Sequence, residues 1–272
     1  MKKSLMLAGL AGLLMPHMAH PQDGSLAVCA DLSAKAPDVA HHCRRALASG
    51  QLNEAQTFGA QTNLGDALIA IRQPDQAIDA FEAAIALLPQ RVEPYVGRAR
   101  ALEDMKRTAE AAEDWDRAAS LAPNSLDVRL DRGAFFLRNG STDAALAEFD
   151  AAVRINPRDP DALFNRGLTL IAASRMPEAE ADFTRLLADA PNDAGAYYHR
   201  GRARAGRDDR GALEDFETAA RLAPQWSSPW FQSGQALERS GQVDAANQHF
   251  RRAFELGHKD PWLLDRIQQL GG

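Results

Sequence analysis

The sequence lacks most of the features that announce an enzyme or a nucleic-acid-binding protein. It contains no P-loop, GxSxG, HExxH, CxxC or dinucleotide-binding motif. Its formal charge of −6 argues against a dedicated nucleic-acid binder, which usually carries a basic face. Aromatic residues make up only 7% of the 272 residues, and the abundance of alanine suits close helix packing more than a β-sandwich. We therefore expect a non-enzymatic helical protein without catalytic residues, cofactor, metal ion or nucleic-acid partner.

Long hydrophobic runs are also scarce. The apolar run at residues 5–15 is too short to span a bilayer comfortably, and it lies between Lys2-Lys3 and Pro16. This layout is typical of a secretory signal with cleavage after Ala19, and an uncleaved membrane anchor is the alternative. No later segment is apolar enough to cross a membrane. We expect a signal peptide at residues 1–19 and a mature chain that is periplasmic or secreted, without a membrane span.

The two cysteines lie close together near the N-terminus. Cys29 and Cys43 flank Pro37-Asp38, which marks a turn between two helical halves. In an exported chain such a pair favours a disulfide, which would stabilise the fold by ~3 kcal/mol in the chain-entropy model. A metal site using His41, His42 and Cys43 is the alternative, although adjacent helical residues point in different directions. Residues 20–54 are predicted to form an N-terminal helical cap.

Most of the remaining chain repeats one pattern. The segment "DAFEAAIALLP" at residues 79–89 returns in five further copies, in which an alanine is followed four residues later by an aromatic residue. Successive alanines are separated by 34, 34, 34, 33 and 34 residues. Both halves of each unit have helical spacing, and proline closes five of the six units. The expected N-caps of later helices are Ser125, Asp159, Asp193 and Asp260. The six alanine–aromatic pairs are Ala77/Phe81, Ala111/Trp115, Ala145/Phe149, Ala179/Phe183, Ala212/Phe216 and Ala246/Phe250.

This pattern resembles the tetratricopeptide repeat family. The segments "YYHRGRA" at 197–203 and "WFQSGQAL" at 230–237 carry the first half of the family pattern, and the alanine–aromatic pairs carry the second. The resemblance implies an all-α, right-handed solenoid of six stacked helix-turn-helix units over residues 55–258, with a capping helix at 259–272. We expect a monomer. The predicted repeats span about 58–91, 92–125, 126–159, 160–193, 194–226 and 227–260.

Comparison of the repeats with one another predicts a charge pair. Four repeats carry arginine just before the small residue of the first helix, and the same four carry an acid just before the aromatic residue of the second. The other two repeats lack both charges. An ion pair between the two helices of each repeat explains the match, and an arginine ladder that recruits an anionic ligand is the alternative. The predicted pairs are Arg98/Asp114, Arg132/Glu148, Arg166/Asp182 and Arg200/Asp215.

The resemblance also implies where a partner binds. In the family, the fifth residue of each repeat faces the concave side, and the next turn of the helix flanks it. We expect these side chains to form an exposed row on which a protein or peptide partner in the bacterial cell envelope docks through an apolar segment. Their burial between neighbouring first helices is the alternative. A periplasmic assembly or maturation factor that holds unfolded clients, and a structural subunit of an envelope complex, are the alternatives. The predicted groove residues are Val96, Leu130, Phe164, Tyr198 and Phe231, flanked by Arg100, Arg202 and Gln235.

Overall fold

The computed structural model describes residues 24–31 and 33–271, and every regular element in this part of the chain is an α-helix. This confirms the predicted all-α fold. The predicted signal peptide at residues 1–19 lies outside the described residues. None of the described helices is long and apolar enough to cross a bilayer. The chain divides into two compact units, Met1–Pro123 and Asn124–Gly272.

The first unit consists of a short hairpin followed by two helix pairs. Each helix packs against the next one along the chain, so the hairpin covers α3 and the pairs follow in sequence order. The helix α3 begins at Glu54, before the expected start of the first repeat at residue 58. The helices are α1 Ser25–Cys29, α2 Ala36–Ala48, α3 Glu54–Ala70, α4 Pro74–Leu87, α5 Glu93–Asp104 and α6 Thr108–Leu121.

The second unit contains four helix pairs and a terminal helix. Here too each helix packs against its successor, and the terminal helix α15 packs against α14. Both units therefore have the consecutive helix-pair packing of a tetratricopeptide-type fold. The helices are α7 Leu126–Arg138, α8 Thr142–Ile155, α9 Pro160–Ala172, α10 Met176–Asp189, α11 Ala194–Arg204, α12 Asp209–Leu222, α13 Ser227–Arg239, α14 Val243–Glu255 and α15 Pro261–Gly271.

Side-chain caps begin several of these helices where the sequence predicts them. Ser125 accepts a hydrogen bond from the amide of Val128, and Asp159 and Asp193 accept corresponding bonds at 2.9 Å. Asp260 does the same for Leu263 at the start of α15. Each cap satisfies a backbone amide that has no partner within its own helix.

One aromatic ring per repeat fills the space between its two helices. Phe81, Phe149, Phe183, Phe216 and Phe250 are completely buried, and Trp115 is 1% exposed. In five repeats the ring lies directly against a glycine of the first helix; a Cβ atom added to Gly65 would lie 2.5 Å from Phe81. The same Phe81 ring also faces Gly97 of the next repeat, where an added Cβ would lie 2.3 Å away. The rings therefore need a residue without a side chain at these glycine positions.

We expect the change Gly65→Ala to lower the free energy of unfolding by about 1–3 kcal/mol, because the new methyl group overlaps a ring that Gly97 blocks on its other side. The matched control is Gly59→Ala on the same helix, where an added Cβ has no neighbour within 4 Å. In that control the free energy of unfolding should rise by up to about 1 kcal/mol, because alanine has a higher helix propensity than glycine. Urea unfolding of both variants measures the difference, and a change of the same sign in both would contradict the packing argument.

Candidate functional site

The N-terminal hairpin is closed by a disulfide between Cys29 and Cys43, whose Cα atoms lie 4.7 Å apart. Both cysteines are buried. The Nδ2 atom of Asn63 on α3 donates a 3.0 Å hydrogen bond to the Cys29 carbonyl oxygen, which connects the hairpin to the first repeat. The disulfide removes the Cys43 thiolate that the alternative metal site with His41 and His42 would need. Within residues 24–31 and 33–271, no cluster of His, Cys, Asp or Glu is suited to a metal ion.

The structure brings together all four charge pairs that the sequence predicts. The acid of each pair is almost buried, with 4–10% of its side chain exposed, and the arginine is 15–23% exposed. In three pairs the guanidinium donates two hydrogen bonds to the carboxylate, a geometry that strengthens such contacts. The shortest donor–acceptor distances are 2.7 Å for Arg98–Asp114, 2.8 Å for Arg132–Glu148, 2.5 Å for Arg166–Asp182 and 2.6 Å for Arg200–Asp215.

The sequence comparison did not predict that these arginines also reach the preceding repeat. Arg98 contacts Glu82 at 3.5 Å, and Arg166 donates a 3.0 Å hydrogen bond to Asp150. Arg200 reaches the hydroxyl of Thr184 at 3.4 Å. Each second partner lies one position after the aromatic residue of the preceding repeat. These arginines therefore connect neighbouring repeats as well as the two helices of one repeat.

The partners of these arginines favour a structural role over the capture of an anionic ligand. Hydrogen bonding to Asp182, with a smaller contribution from Asp150, raises the pKa of Arg166. Hydrogen bonding to Asp215 likewise raises the pKa of Arg200. The charges of both guanidinium groups are already balanced by carboxylates, so they have little left to offer a ligand.

The sixth repeat replaces this ion pair by neutral groups. Ser233 stands at the arginine position and His249 at the acid position. The Ser233 hydroxyl, the Nδ1 atom of His249 and the indole N–H of Trp230 are buried without a hydrogen-bond partner among the described residues. Burial lowers the pKa of His249, which keeps the ring neutral near pH 7. The sixth repeat therefore lacks the ionic connection between helices that the preceding four repeats have.

The predicted groove residues differ in exposure. In the first unit, Val96 is half-buried on α5 and Arg100 is exposed. In the second unit, Leu130 and Phe164 are half-buried and pack against the core formed by α8 to α11. Tyr198 and Gln235 are also half-buried, and Arg202 is exposed.

The burial of Phe231 corrects the expectation that the groove residues form a row of exposed side chains. Only 6% of Phe231 is exposed, and it belongs to a core cluster with Phe250 and Leu263. The His258 ring stacks on it at a centroid distance of 4.4 Å, and Trp262 approaches it at 6.2 Å. The end of the sixth repeat and the start of α15 cover this side chain. Phe231 is therefore part of the core and unsuited to direct contact with a partner.

The remaining aromatic side chains form a surface in the fourth and fifth repeats. The Tyr198 and Trp226 rings lie 4.5 Å apart, and the Phe164 ring meets the His199 ring edge-on at 5.4 Å. Arg202 lies at the border of this group, with its guanidinium 6.0 Å from the centre of the Tyr198 ring. We call these five residues the α11 surface. Sequence reasoning missed Trp226 and His199. The only signal for Trp226 was its position just before the predicted start of the sixth repeat, and the only signal for His199 was its position next to Tyr198.

Comparison with known proteins identifies the repeat. The family model "Tetratricopeptide repeat" matches four overlapping stretches, at residues 62–125, 96–160, 130–194 and 164–225. These stretches cover more than half of the chain. A comparison with curated proteins finds no match.

Several solved structures share this fold at low sequence identity. YrrB, described as a TPR protein with an unusual peptide-binding site, is 21% identical with a TM-score of 0.56, over 68% of this chain and 94% of YrrB. PilW, described as a widely conserved type IV pilus biogenesis factor, is 20% identical with a TM-score of 0.64, over 78% and 99%. The pilF protein of Pseudomonas aeruginosa is 15% identical with a TM-score of 0.65, over 79% and 98%. Identities this low establish a shared fold alone.

We expect Arg166→Met to lower the free energy of unfolding by about 2–3 kcal/mol, because it leaves the nearly buried Asp182 carboxylate without its guanidinium. The double variant Arg166→Met/Asp182→Leu should be more stable than Arg166→Met, since no unpaired charge then remains buried. Urea unfolding measures both, with Arg185→Met on the exposed face of α10 as control. A double variant that loses the sum of the two single losses would show that the pair contributes nothing of its own.

Proposed function

The chain belongs to the tetratricopeptide repeat family, and from the role that this family generally serves we propose that it is a non-enzymatic scaffold that binds a protein or peptide partner. The α11 surface carries this proposal. It combines half-buried aromatic rings with an exposed arginine, and aromatic and arginine side chains are the usual energetic anchors of interfaces. The peptide-binding site attributed to YrrB is a precedent for such a role in this fold.

The proposed binding region is narrower than the full row of groove residues. The Phe164 ring lies 5.8 Å from the buried Phe183 ring and the Tyr198 ring lies 5.9 Å from the buried Phe216 ring, yet both side chains are only half-buried. The Phe231 side chain is buried, so the surface ends before the sixth repeat's first helix. We therefore propose that an apolar segment of the partner docks on the fourth and fifth repeats.

We further propose that the protein works in the bacterial cell envelope, in the periplasm or outside the cell. The disulfide between Cys29 and Cys43 supports this location, because disulfides persist in oxidising compartments and are rare in the cytosol. The lysine–apolar pattern of the first residues supports it from the sequence. An assembly factor is the second candidate function, favoured by the likeness in fold to a protein described as a pilus biogenesis factor.

Binding is tested by selection from a randomised library of phage-displayed 12-residue peptides. We expect the wild-type protein to enrich peptides with a shared apolar motif, and the variant Phe164→Ser/Tyr198→Ser to lose this enrichment. The matched control is Phe254→Ser, which changes an aromatic residue that is 43% exposed elsewhere in the same unit. Thermal melts verify that each variant is folded before selection.

Each outcome of the selection distinguishes between the candidate functions. A shared motif fits a scaffold, because a scaffold discriminates sharply among sequences. Enrichment of many unrelated apolar peptides would instead fit an assembly factor that holds unfolded clients. If the wild-type protein enriches no peptide at all, or if the control loses enrichment equally, the proposed binding surface is wrong.

Export is tested by intact-mass measurement of the chain expressed with all its residues in a bacterial host. We expect the mature protein to lack residues 1–19 and to be about two hydrogen masses lighter than the dithiol form. The variant Cys29→Ser/Cys43→Ser is the control, since reduction should change only the mass of the wild-type protein. A full-length chain in which both thiols react with an alkylating agent would contradict the proposed location.

A further inference from the structure

Three arginines on α11 are in different electrostatic situations. Arg200 and Arg204 both donate hydrogen bonds to Asp215, and Arg204 also binds Glu180 at 2.8 Å. Arg202 lies about 200° around the helix from Arg200, since each residue advances an α-helix by about 100°. It therefore faces away from these carboxylates, and no carboxylate partner of Arg202 occurs among the described residues. The charge of Arg202 is thus not neutralised by an ion pair within the described part of the chain, and the nearby carboxylate of Asp193 acts on His199 rather than bonding to Arg202.

A neutral group positions Arg202 instead. Its Nη1 atom lies 3.3 Å from the Nδ1 atom of His199. Burial, and to a smaller extent the charge of Arg202, lowers the pKa of His199 to about 4, so the imidazole is neutral near pH 7. Because an arginine can only donate, this Nδ1 must be the unprotonated nitrogen that accepts the bond. His199 thereby orients the guanidinium without cancelling its charge.

The His199 ring is itself fixed by its neighbours. It stacks on Phe183 at a centroid distance of 5.7 Å and meets Phe164 edge-on at 5.4 Å. Phe183 is the completely buried ring of the fourth repeat. The orientation of Arg202 therefore depends on packing in the rigid core, which lowers the cost of ordering this long side chain when a ligand binds.

Apolar surface lies directly beside the guanidinium. Arg202 lies over the Tyr198 ring, and the Trp226 ring approaches Tyr198 at 4.5 Å. A free inorganic anion would gain nothing from contact with these apolar rings. A peptide in which an acidic residue stands beside an apolar one could bind the guanidinium and the rings together. The overall charge of −6 makes a polyanion such as nucleic acid an unfavourable partner. The positive charge of Arg202 therefore suits a single acidic group rather than a polyanion.

From this arrangement we infer that Arg202, Tyr198 and Trp226 form a subsite for a carboxylate of the bound peptide, with an apolar side chain of the peptide packed beside it on the two rings. The inference rests on the proposed function, because it requires that the α11 surface binds a peptide. The guanidinium has donors free to form a forked pair of hydrogen bonds with a carboxylate. The corresponding positions in the other repeats of the second unit hold Ala134, Leu168 and Gln235, so within this unit only the fifth repeat carries the arginine.

The test uses the same 12-residue peptide library with the full mature chain. Wild-type protein should enrich peptides in which Asp or Glu stands next to, or one turn from, an apolar residue. Arg202→Gln should still enrich apolar peptides but lose the preference for the acidic residue. Arg185→Gln, a change of an exposed arginine on α10, should select the same peptides as the wild type.

One enriched peptide is then synthesised with a fluorescent label, together with a copy in which its acidic residue is replaced by the corresponding amide. Fluorescence anisotropy should show an affinity for wild-type protein about tenfold lower for the amide peptide, and no difference between the two peptides for Arg202→Gln. The variant His199→Asp, which supplies a carboxylate beside Arg202, should also bind both peptides equally. A melt of each variant establishes that it is folded.

The outcomes separate this inference from the proposed function. If wild-type protein enriches peptides without any acidic preference, or if Arg202→Gln retains that preference, the carboxylate subsite is wrong while peptide binding stands. If no peptide is enriched, the proposed function fails and the subsite with it.

Discussion

The contact between an aromatic ring of each second helix and the backbone of the preceding helix determines most of the remaining geometry. In five repeats a glycine admits the ring so closely that a single added carbon atom would overlap it. Each charged pair flanks this contact in the sequence, since Arg132 precedes Gly133 and Glu148 precedes Phe149. Once the ring is seated, the arginine and the acid of the same repeat lie within hydrogen-bonding distance. The first and sixth repeats seat the ring without this ion pair, so the ring contact does not depend on the ion pairs.

The ring contact also explains why function can vary from repeat to repeat. It uses one face of the first helix, and the ion pairs use the neighbouring positions. The position one turn after the groove residue is less constrained, since it holds Ala134, Leu168, Arg202 and Gln235 in successive repeats of the second unit. On α11 this freedom places an arginine beside Tyr198. Binding chemistry can thus change at that position without loss of the fold.

The sequence was sufficient for the fold and for contacts within one repeat. Its period located the helix pairs, and the matched presence of arginine and acid in four repeats identified partners such as Arg166 and Asp182. It did not reveal the second partner Asp150, because that contact depends on the separation of helices from successive repeats. The sequence left the burial of Phe231 undecided for a related reason. That burial depends on how His258 and Trp262 fold back over the last repeat, and no other repeat contains that segment.

The neutral groups of the sixth repeat affect how the second unit loses structure. In a chain of repeats, stability is roughly a sum of contributions from each repeat and from its contact with the next one. Ser233 and His249 replace the ion pair that joins the two helices of each of the preceding four repeats, so α13 and α14 lack it, and their buried polar atoms have no hydrogen-bond partner among the described residues. Opening of the terminal helices should therefore cost less free energy than opening of α7 to α12. Amide hydrogens of α13 to α15 would exchange with solvent through this partial opening while α7 to α11 stay folded.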